Sequence, residues 1–331
     1  MRRLAELEAA APIEGDDYSR GGAVERLERA MAEELGKEAA IFVATGTLAN
    51  LLALDRHCRG RGRRVVVQEQ GHIYNDTGDG ATELAGLNLI PLGAGRPAFT
   101  LDELVAALER ADSGRVETPV GALAIESPVR RQHGRVVPFE QMSAIADLCR
   151  QRGIATHLDG ARLYMMSAAT GRPVRAYASL FDSVYVSLWK YLGAPFGAIL
   201  AGEAAFIEGM YHRRRAFGGG LPHSALAAAL ALDGLPGFAD RFGQALARAR
   251  ELFAALDRLP GASIAPLPDG SNIFPLELDR RVDRARFAAG LAERSVVATI
   301  PAEGTVYLTV NPTILRRPAD ELLDGFADAL G

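Results

Sequence analysis

The sequence has 331 residues, of which 48% are hydrophobic and 24% charged, as in an ordinary globular protein with room for one or two domains. A formal net charge of -4 excludes the basic field that would attract nucleic acid or an anionic membrane, so we expect a small-molecule ligand. With only Cys58 and Cys149, no disulfide framework is needed, and neither a signal peptide nor a membrane span is expected. These features predict a cytoplasmic protein.

The first two thirds of the sequence alternate short apolar runs with longer helical patterns. Residues 23 to 35 show hydrophobic residues at helical spacing and stop at Gly36; the run AIFV then predicts a strand, and a second helical pattern passes through Leu48 and Leu54. Further strands are predicted at VVVQ (65–68), GALAIE (121–126), IATHLD (154–159) and SVYVSL (183–188). This alternation predicts a mainly parallel α/β sheet flanked by helices.

The pattern changes after about Gly234. A long helix is predicted at 237–258 and another near 283–294, interleaved with the apolar segments SNIFPLEL, VVATI and TVYLTV and followed by a final helix. The sequence therefore predicts a large domain over residues 1–235 and a smaller C-terminal α/β domain over residues 236–331.

Lysine is scarce in this sequence. Of the 37 lysines and arginines only Lys37 and Lys190 are lysine, so each raises the question of what arginine could not do there. Lys37 follows a helical pattern and is interpreted as a solvated charge near a helix end. Lys190 lies in VSLWKYLGAPFGAIL, which holds no other charge, and desolvation there favours the neutral amine that imine formation needs.

Two further features fall where predicted strands end, at the edge where open α/β sheets bind ligands. Thr45-Gly46-Thr47 could bind a phosphate through free N–H groups and hydroxyls, although a turn that merely needs glycine is the more common explanation of such a tripeptide alone. Asp159 could cap a turn, or it could pair with a pyridine nitrogen and keep that ring protonated. With Lys190 as a Schiff-base lysine, the three features together indicate pyridoxal 5′-phosphate (PLP).

His72 follows the predicted strand VVVQ and could stack on the pyridine ring, leaving one nitrogen for proton transfer; a structural histidine is the alternative. His57 and His212 are expected to be exposed, and His157 to lie in the core. Neither HExxH nor CxxC occurs, so no catalytic metal is expected.

These motifs resemble the low-specificity threonine aldolases, a group of fold-type I PLP enzymes with the aspartate aminotransferase-like fold, related to the β-eliminating lyases. The resemblance covers about residues 15 to 235, in the segments GDDYSRGGAVERLERAMAEELGKEAAIFVATGTLANLLAL, HIYNDTGDGATELAG, HGRVVPFE, HLDGARLY, LWKYLGAPFGAILAG and RRRAFGGGL.

The resemblance implies a PLP-dependent lyase that cleaves a β-hydroxy-α-amino acid to glycine and an aldehyde. It implies that Lys190 forms the Schiff base, Asp159 contacts the ring nitrogen, His72 stacks on the ring, and Gly46 with Thr47 binds the phosphate. Two arginines complete the set: Arg162 would contact the phenolic oxygen or the substrate carboxylate, and Arg215 would reach the phosphate from a neighbouring subunit of a homodimer or homotetramer.

Several departures concern the substrate rather than the cofactor. The sequence starts downstream of the family's S-D-T segment. It has Pro222 after Gly220-Leu221, where the family has an arginine near the phosphate. It also reads Glu126-Ser127-Pro128-Val129 in place of E-N-T-H, whose histidine lies near the substrate hydroxyl. In the family, the arginine of R-L-V-T-H pairs with the substrate carboxylate. The corresponding stretch here, YLTVN (307–311), has Tyr307 in place of that arginine.

Three residues could rebuild the substrate contacts, namely Arg130, Arg131 and His133, although exposed loop charges explain them equally. The departures leave β-elimination, racemisation and glycyl transfer to an aldehyde open as alternative reactions. They also leave open a catalytically retired protein that only binds PLP.

Overall fold

The computed structural model describes residues 1–331, which divide into two compact units. The first unit comprises Met1–Gln132, Val137–Tyr164 and Arg172–Pro236, and the second comprises His133–Val136, Met165–Gly171 and Gly237–Gly331. The boundary of independently folding domains at residues 235 and 236 stays a prediction.

The first unit contains a seven-stranded sheet. Its strands are β1 (Ala39–Val43), β2 (Arg64–Gln68), β3 (Asn88–Leu92), β4 (Val120–Glu126), β5 (Ala155–Asp159), β6 (Ser183–Ser187) and β7 (Ala198–Gly202). They lie in the order β1-β7-β6-β5-β4-β2-β3. Neighbours from β6 to β3 are parallel, whereas β7 runs antiparallel to both β6 and β1. The predicted mainly parallel α/β sheet is therefore confirmed.

Twelve α-helices precede residue 237. They are α1 (Arg2–Ala10), α2 (Gly22–Leu35), α3 (Gly46–Cys58), α4 (His72–Asn75), α5 (Gly80–Glu83), α6 (Leu101–Asp112), α7 (Phe139–Gln151), α8 (Leu163–Thr170), α9 (Val174–Ala178), α10 (Ala204–Ile207), α11 (Met210–Ala216) and α12 (Ala225–Gly234). As predicted, α2 stops at Gly36, whose φ of 66° is the left-handed conformation that glycine adopts most readily.

The second unit contains helices α13 (Phe238–Leu256), α14 (Arg284–Glu293) and α15 (Ala319–Leu330). Its antiparallel sheet consists of β8 (Ala262–Ile264), β9 (Ile273–Leu278) and β10 (Val306–Thr309), in the order β10-β9-β8. The apolar segment VVATI forms no strand, since residues 296–300 pair with no strand and Val297 is fully exposed.

Helix α3 determines the surroundings of the site. It packs against β4, β5, β6 and β7, and nearly all of its side chains are buried, including the polar Asn50 and His57. A helix buried on a sheet needs apolar residues around most of its circumference, which the leucines of α3 provide. Across both units, no helix is long and apolar enough to span a bilayer.

Candidate active site

The parallel strands end together at one edge of the sheet, and polar side chains collect there. Glu126 ends β4 and pairs in register with Asp159, which ends β5 and in turn pairs with Tyr185 of β6. Because β1 and β6 both run antiparallel to β7, β1 also ends at this edge, where it leads through Thr45 into α3. The edge is the one at which open α/β sheets bind ligands.

A cavity of about 340 Å³ opens at this edge. Four predicted site residues line it, namely Gly46, Thr47, His72 and Lys190. The other lining residues are Ala44, Thr45, Tyr185, Trp189, Pro195, Phe196 and Gly197. The structure therefore brings together residues from three separate parts of the sequence.

Lys190 is half-buried beside this cavity, and its setting favours the neutral amine. Burial lowers the pKa of Lys190, and the positive charge of Arg162 lowers it further, whereas the charge of Asp159 opposes the shift. A neutral amine is the nucleophilic form that attacks a carbonyl carbon.

Asp159 lies below the cavity lining and is 1% exposed. Its Oδ2 accepts a hydrogen bond from Asn50 Nδ2 at 2.7 Å and lies 3.8 Å from His72 Nδ1, while its Oδ1 accepts the Ala161 N–H at 3.2 Å. His72 Nδ1 is itself buried and has no hydrogen-bond partner. The Asp159 carboxylate is thus held by two donors, and the nearby Nδ1 of His72 has no partner. This arrangement fits a pyridine cofactor that would occupy the cavity.

Glu126 is a site residue that the sequence analysis missed as a functional side chain. It is 4% exposed, and its two carboxylate oxygens accept the backbone N–H groups of His72 at 2.7 Å and Arg130 at 2.9 Å. Gln68 fixes the Glu126 backbone by accepting its N–H at 2.6 Å and donating to its carbonyl at 3.0 Å. Glu126 therefore holds the His72 backbone where the His72 side chain lines the cavity.

Burial and the neighbouring Asp159 charge raise the pKa of Glu126 to about 7. The folded protein then holds a proton that the unfolded chain, with its ordinary value of 4.5, has released. The free energy of unfolding should fall as pH rises from about 4.5 to 7, and Glu126→Gln should flatten that fall in urea titrations. Glu140→Gln, which changes an exposed carboxylate, serves as the control; an unchanged slope for Glu126→Gln would contradict the assignment.

The start of α3 is shaped to accept an anion. Thr45 caps the helix by accepting the Leu48 N–H at 3.1 Å, and the first N–H groups of a helix have no partner within it. Gly46 is required here, because a Cβ at this position would lie 1.8 Å from the hydroxyl oxygen of the buried Tyr185. Glycine thus lets Tyr185 pack under the helix end that faces the cavity.

Replacing Gly46 with alanine should displace Tyr185 or the start of α3. We expect the free energy of unfolding to fall by about 1–3 kcal/mol, as for overpacking elsewhere in protein cores, measured by urea denaturation. Gly243→Ala is the matched control: a Cβ at Gly243 inside α13 meets nothing within 4 Å, so alanine should stabilise the protein by ~0.5–1 kcal/mol. Equal effects of the two substitutions would contradict this account.

The predicted arginines occupy different places. Arg162 does not line the cavity, but its charge acts on Lys190. Of three consecutive arginines in α11, Arg213 binds Asp55 at 2.9 and 3.0 Å and Arg214 is 1% exposed and donates to the Phe42 carbonyl. The exposed Arg215 only stacks on Tyr18 at 4.2 Å and makes a long contact to Tyr211, so it keeps its guanidinium available.

The candidate substrate residues are engaged within the protein. Arg130 and Arg131 both pair with Asp76, at 2.7 and 3.4 Å. In the second unit, His133 stacks on Tyr307 at a ring-centroid distance of 3.8 Å. All three residues are exposed, which agrees with the alternative of exposed loop charges, and a role in substrate binding stays a prediction.

Two residues that were expected to be exposed, His57 and Lys37, are not. His57 is 8% exposed rather than solvated, because α3 turns it towards the sheet. Lys37 is half-buried, and its Nζ donates to the Phe181 carbonyl at 2.6 Å. His157, expected in the core, is fully buried.

Comparisons with known proteins agree with this geometry. A family model described as β-eliminating lyase matches residues 1–274. The low-specificity L-threonine aldolase of Escherichia coli is 33% identical over 235 residues, covering 71% of this chain and 69% of that protein. The low-specificity L-threonine aldolase 1 of Arabidopsis thaliana is 27% identical over 331 residues, covering 99% and 92%.

Solved structures give the same result. A Listeria monocytogenes protein assigned as an L-allo-threonine aldolase superposes with a TM-score of 0.81 at 26% identity, over 99% of this chain and 92% of that one. Fold and site thus define a lyase of the PLP-dependent, threonine aldolase-like class. The chain belongs to the β-eliminating lyase family.

Proposed function

We propose that this protein binds PLP in the cavity at the carboxyl ends of its parallel strands and cleaves a β-hydroxy-α-amino acid to glycine and an aldehyde. One observation carries the proposal: Lys190, His72 and the start of α3 line one cavity, with Asp159 held 3.8 Å from His72. The threonine aldolases among its relatives support the choice of substrate class.

The residues that would hold the cofactor each have a physical reason for their role. Lys190, whose pKa is lowered by burial, would form the covalent link. Gly46 and Thr47 would bind the phosphate through the N-terminal N–H groups of α3, and His72 would stack on the ring. Asp159 would face the ring nitrogen as an anion, and Arg162 would contact the phenolic oxygen or the substrate carboxylate.

When bound, PLP supplies an electron sink for the bond that breaks at the substrate α-carbon. Asp159 would keep the ring nitrogen protonated, since a buried carboxylate facing that nitrogen would stabilise its positive charge. His72, or a water molecule that it positions, takes the proton from the β-hydroxyl group. Glu126 holds the His72 backbone in place during that transfer.

A second candidate reaction, β-elimination, is favoured by one observation. Val129 is fully buried at the position where the family's histidine lies near the substrate hydroxyl, so no side chain from this position can contact a hydroxyl group. In this reaction Lys190 removes the α-proton, and the products are ammonia and a keto acid.

Product analysis separates these reactions. Incubating the PLP-loaded protein with a panel of β-hydroxy-α-amino acids should release glycine and the matching aldehyde in equal amounts. Release of ammonia and a keto acid instead would establish elimination, and PLP binding without turnover of any amino acid would indicate a retired enzyme. Either result would overturn the aldol-cleavage proposal.

The proposal includes a homodimer or homotetramer with Arg215 contributed to the phosphate of a neighbouring subunit. Arg215 is the one arginine of its trio that pairs with no carboxylate or buried carbonyl. Both cysteines are free and buried, which suits the reducing conditions of the cytoplasm.

A further inference from the structure

A row of buried polar side chains runs between α3 and the sheet and ends at Asp159. It consists of His57, Ser183, His157, Asn50 and Asp159, which we call the buried polar network. Asn50 and His57 lie seven residues apart and share one face of α3, whereas His157 and Asp159 lie two residues apart and share one face of β5. Helical and strand periodicity together therefore produce this alignment.

Each neighbour in the buried polar network is within hydrogen-bond distance of the next. His57 Nε2 lies 2.7 Å from Ser183 Oγ, and Ser183 Oγ lies 2.8 Å from His157 Nδ1. His157 Nε2 lies 2.9 Å from Asn50 Oδ1, and Asn50 Nδ2 lies 2.7 Å from Asp159 Oδ2. Four bonds thus connect His57 to the carboxylate.

The donors in this network all point towards Asp159. An ionised carboxylate only accepts, so Asn50 donates its amide N–H and turns its carbonyl oxygen to His157. His157 must then carry its proton on Nε2 and accept from Ser183 through Nδ1. Ser183 in turn accepts the N–H of His57, and the aligned dipoles stabilise the negative charge on Asp159.

The two histidines must be neutral for this order of donors to hold. Burial lowers the pKa of His157 to about 3, and burial together with the charges of Arg61 and Arg56 lowers the pKa of His57 to about 3. His57 also stacks on Phe206 at 4.5 Å and borders a separate cavity of about 420 Å³ lined by both arginines. The outer end of the network is therefore fixed in one protonation state.

We propose that Asn50, His157, Ser183 and His57 are positioning residues that orient the Asp159 carboxylate and stabilise its anion for the cofactor ring nitrogen. The inference rests on the proposed PLP site and adds four residues to it. A purely structural role explains it less well, because apolar side chains would fill a helix–sheet interface at lower desolvation cost than four hydrogen-bonded polar groups.

The test uses holoenzyme loaded with PLP that carries ¹⁵N at the pyridine nitrogen. Ser183→Ala removes both the acceptor for His57 and the donor to His157, and Asn50→Ala removes the donor to Asp159. In both variants the ¹⁵N signal at neutral pH should move towards that of an unprotonated pyridine, and the dissociation constant for PLP should rise about tenfold. Thr156→Val is the matched control on the same strand, since it removes the two bonds of Thr156 Oγ1, which donates to Asp182 Oδ2 at 3.0 Å and accepts the Asp182 N–H at 3.1 Å.

The outcomes are separable. A wild-type ¹⁵N signal in folded Ser183→Ala and Asn50→Ala, or an equal change in Thr156→Val, would overturn the positioning role. If Ser183→Ala and Asn50→Ala unfold, His57→Phe serves as the test, because it keeps the ring stack on Phe206 and breaks only the outermost hydrogen bond. A smaller shift of the ¹⁵N signal in the same direction would support the positioning role, and no shift would overturn it. Failure of the wild-type protein to bind PLP would instead overturn the proposed function.

Discussion

Replacing Lys190 with alanine should abolish the long-wavelength absorption band of lysine-bound PLP and lower kcat/KM by about 10³-fold or more, equivalent to ~4 kcal/mol of transition-state stabilisation. The reason is that the Lys190 amine, whose pKa is lowered by burial and by the Arg162 charge, is the group proposed to form the covalent link. Absorbance spectra and steady-state kinetics of the reconstituted variant measure both effects.

The second lysine provides the control. Lys37 Nζ donates to the Phe181 carbonyl and does not line the cavity, so Lys37→Ala should keep the absorption band even if it lowers stability. A Lys190→Ala protein with the wild-type spectrum would overturn the assignment of the covalent lysine.

Asp159→Asn should lower kcat by about 10²–10³-fold, the range seen when one electrostatic contact to developing charge is removed from an active site. The neutral amide provides no negative charge for the ring nitrogen. In either orientation its NH₂ group would face a donor, Nδ2 of Asn50 or the Ala161 N–H, which lie 2.7 Å and 3.2 Å from the Asp159 oxygens. Single-turnover kinetics at saturating PLP separate this loss from weaker cofactor binding.

Asp182→Asn is the matched control for the carboxylate. Asp182 accepts the Thr156 N–H at 2.7 Å and lies outside the cavity lining, so its replacement should change stability and leave kcat unaltered. Near-wild-type kcat in Asp159→Asn, or an equal loss in Asp182→Asn, would refute the special role of Asp159.

The sequence predicted the central sheet well because its strands have simple patterns. Strands β2, β4, β5 and β6 are apolar runs that are buried in the folded protein, and their predicted bounds differ from the observed bounds by one residue at most. Strand β3 was missed because Pro91 interrupts its pattern, and an edge position is where a sheet tolerates proline. Residues 296–300 are an apolar run that pairs with no strand, so hydrophobicity alone does not identify a strand.

Only part of the candidate site was predicted, because only some of its residues stand out from the sequence pattern around them. Lysine scarcity singled out Lys190, and strand ends singled out Asp159 and His72. Asn50 was missed because it lies inside an apolar run whose pattern only indicated a helix. Glu126 ends β4, but it was considered only as part of the segment that replaces E-N-T-H. A polar residue on the buried face of a predicted helix is the signal that could have identified Asn50, since burying it requires a partner.

The direct test of the central claim is the location of the bound cofactor. Borohydride reduction of the PLP-loaded protein, followed by proteolysis and mass spectrometry, fixes the cofactor on the lysine that holds it, and the sequence offers only two lysines. The account predicts a phosphopyridoxyl group on the peptide containing Lys190. A label on Lys37, or no label on either lysine, would contradict it.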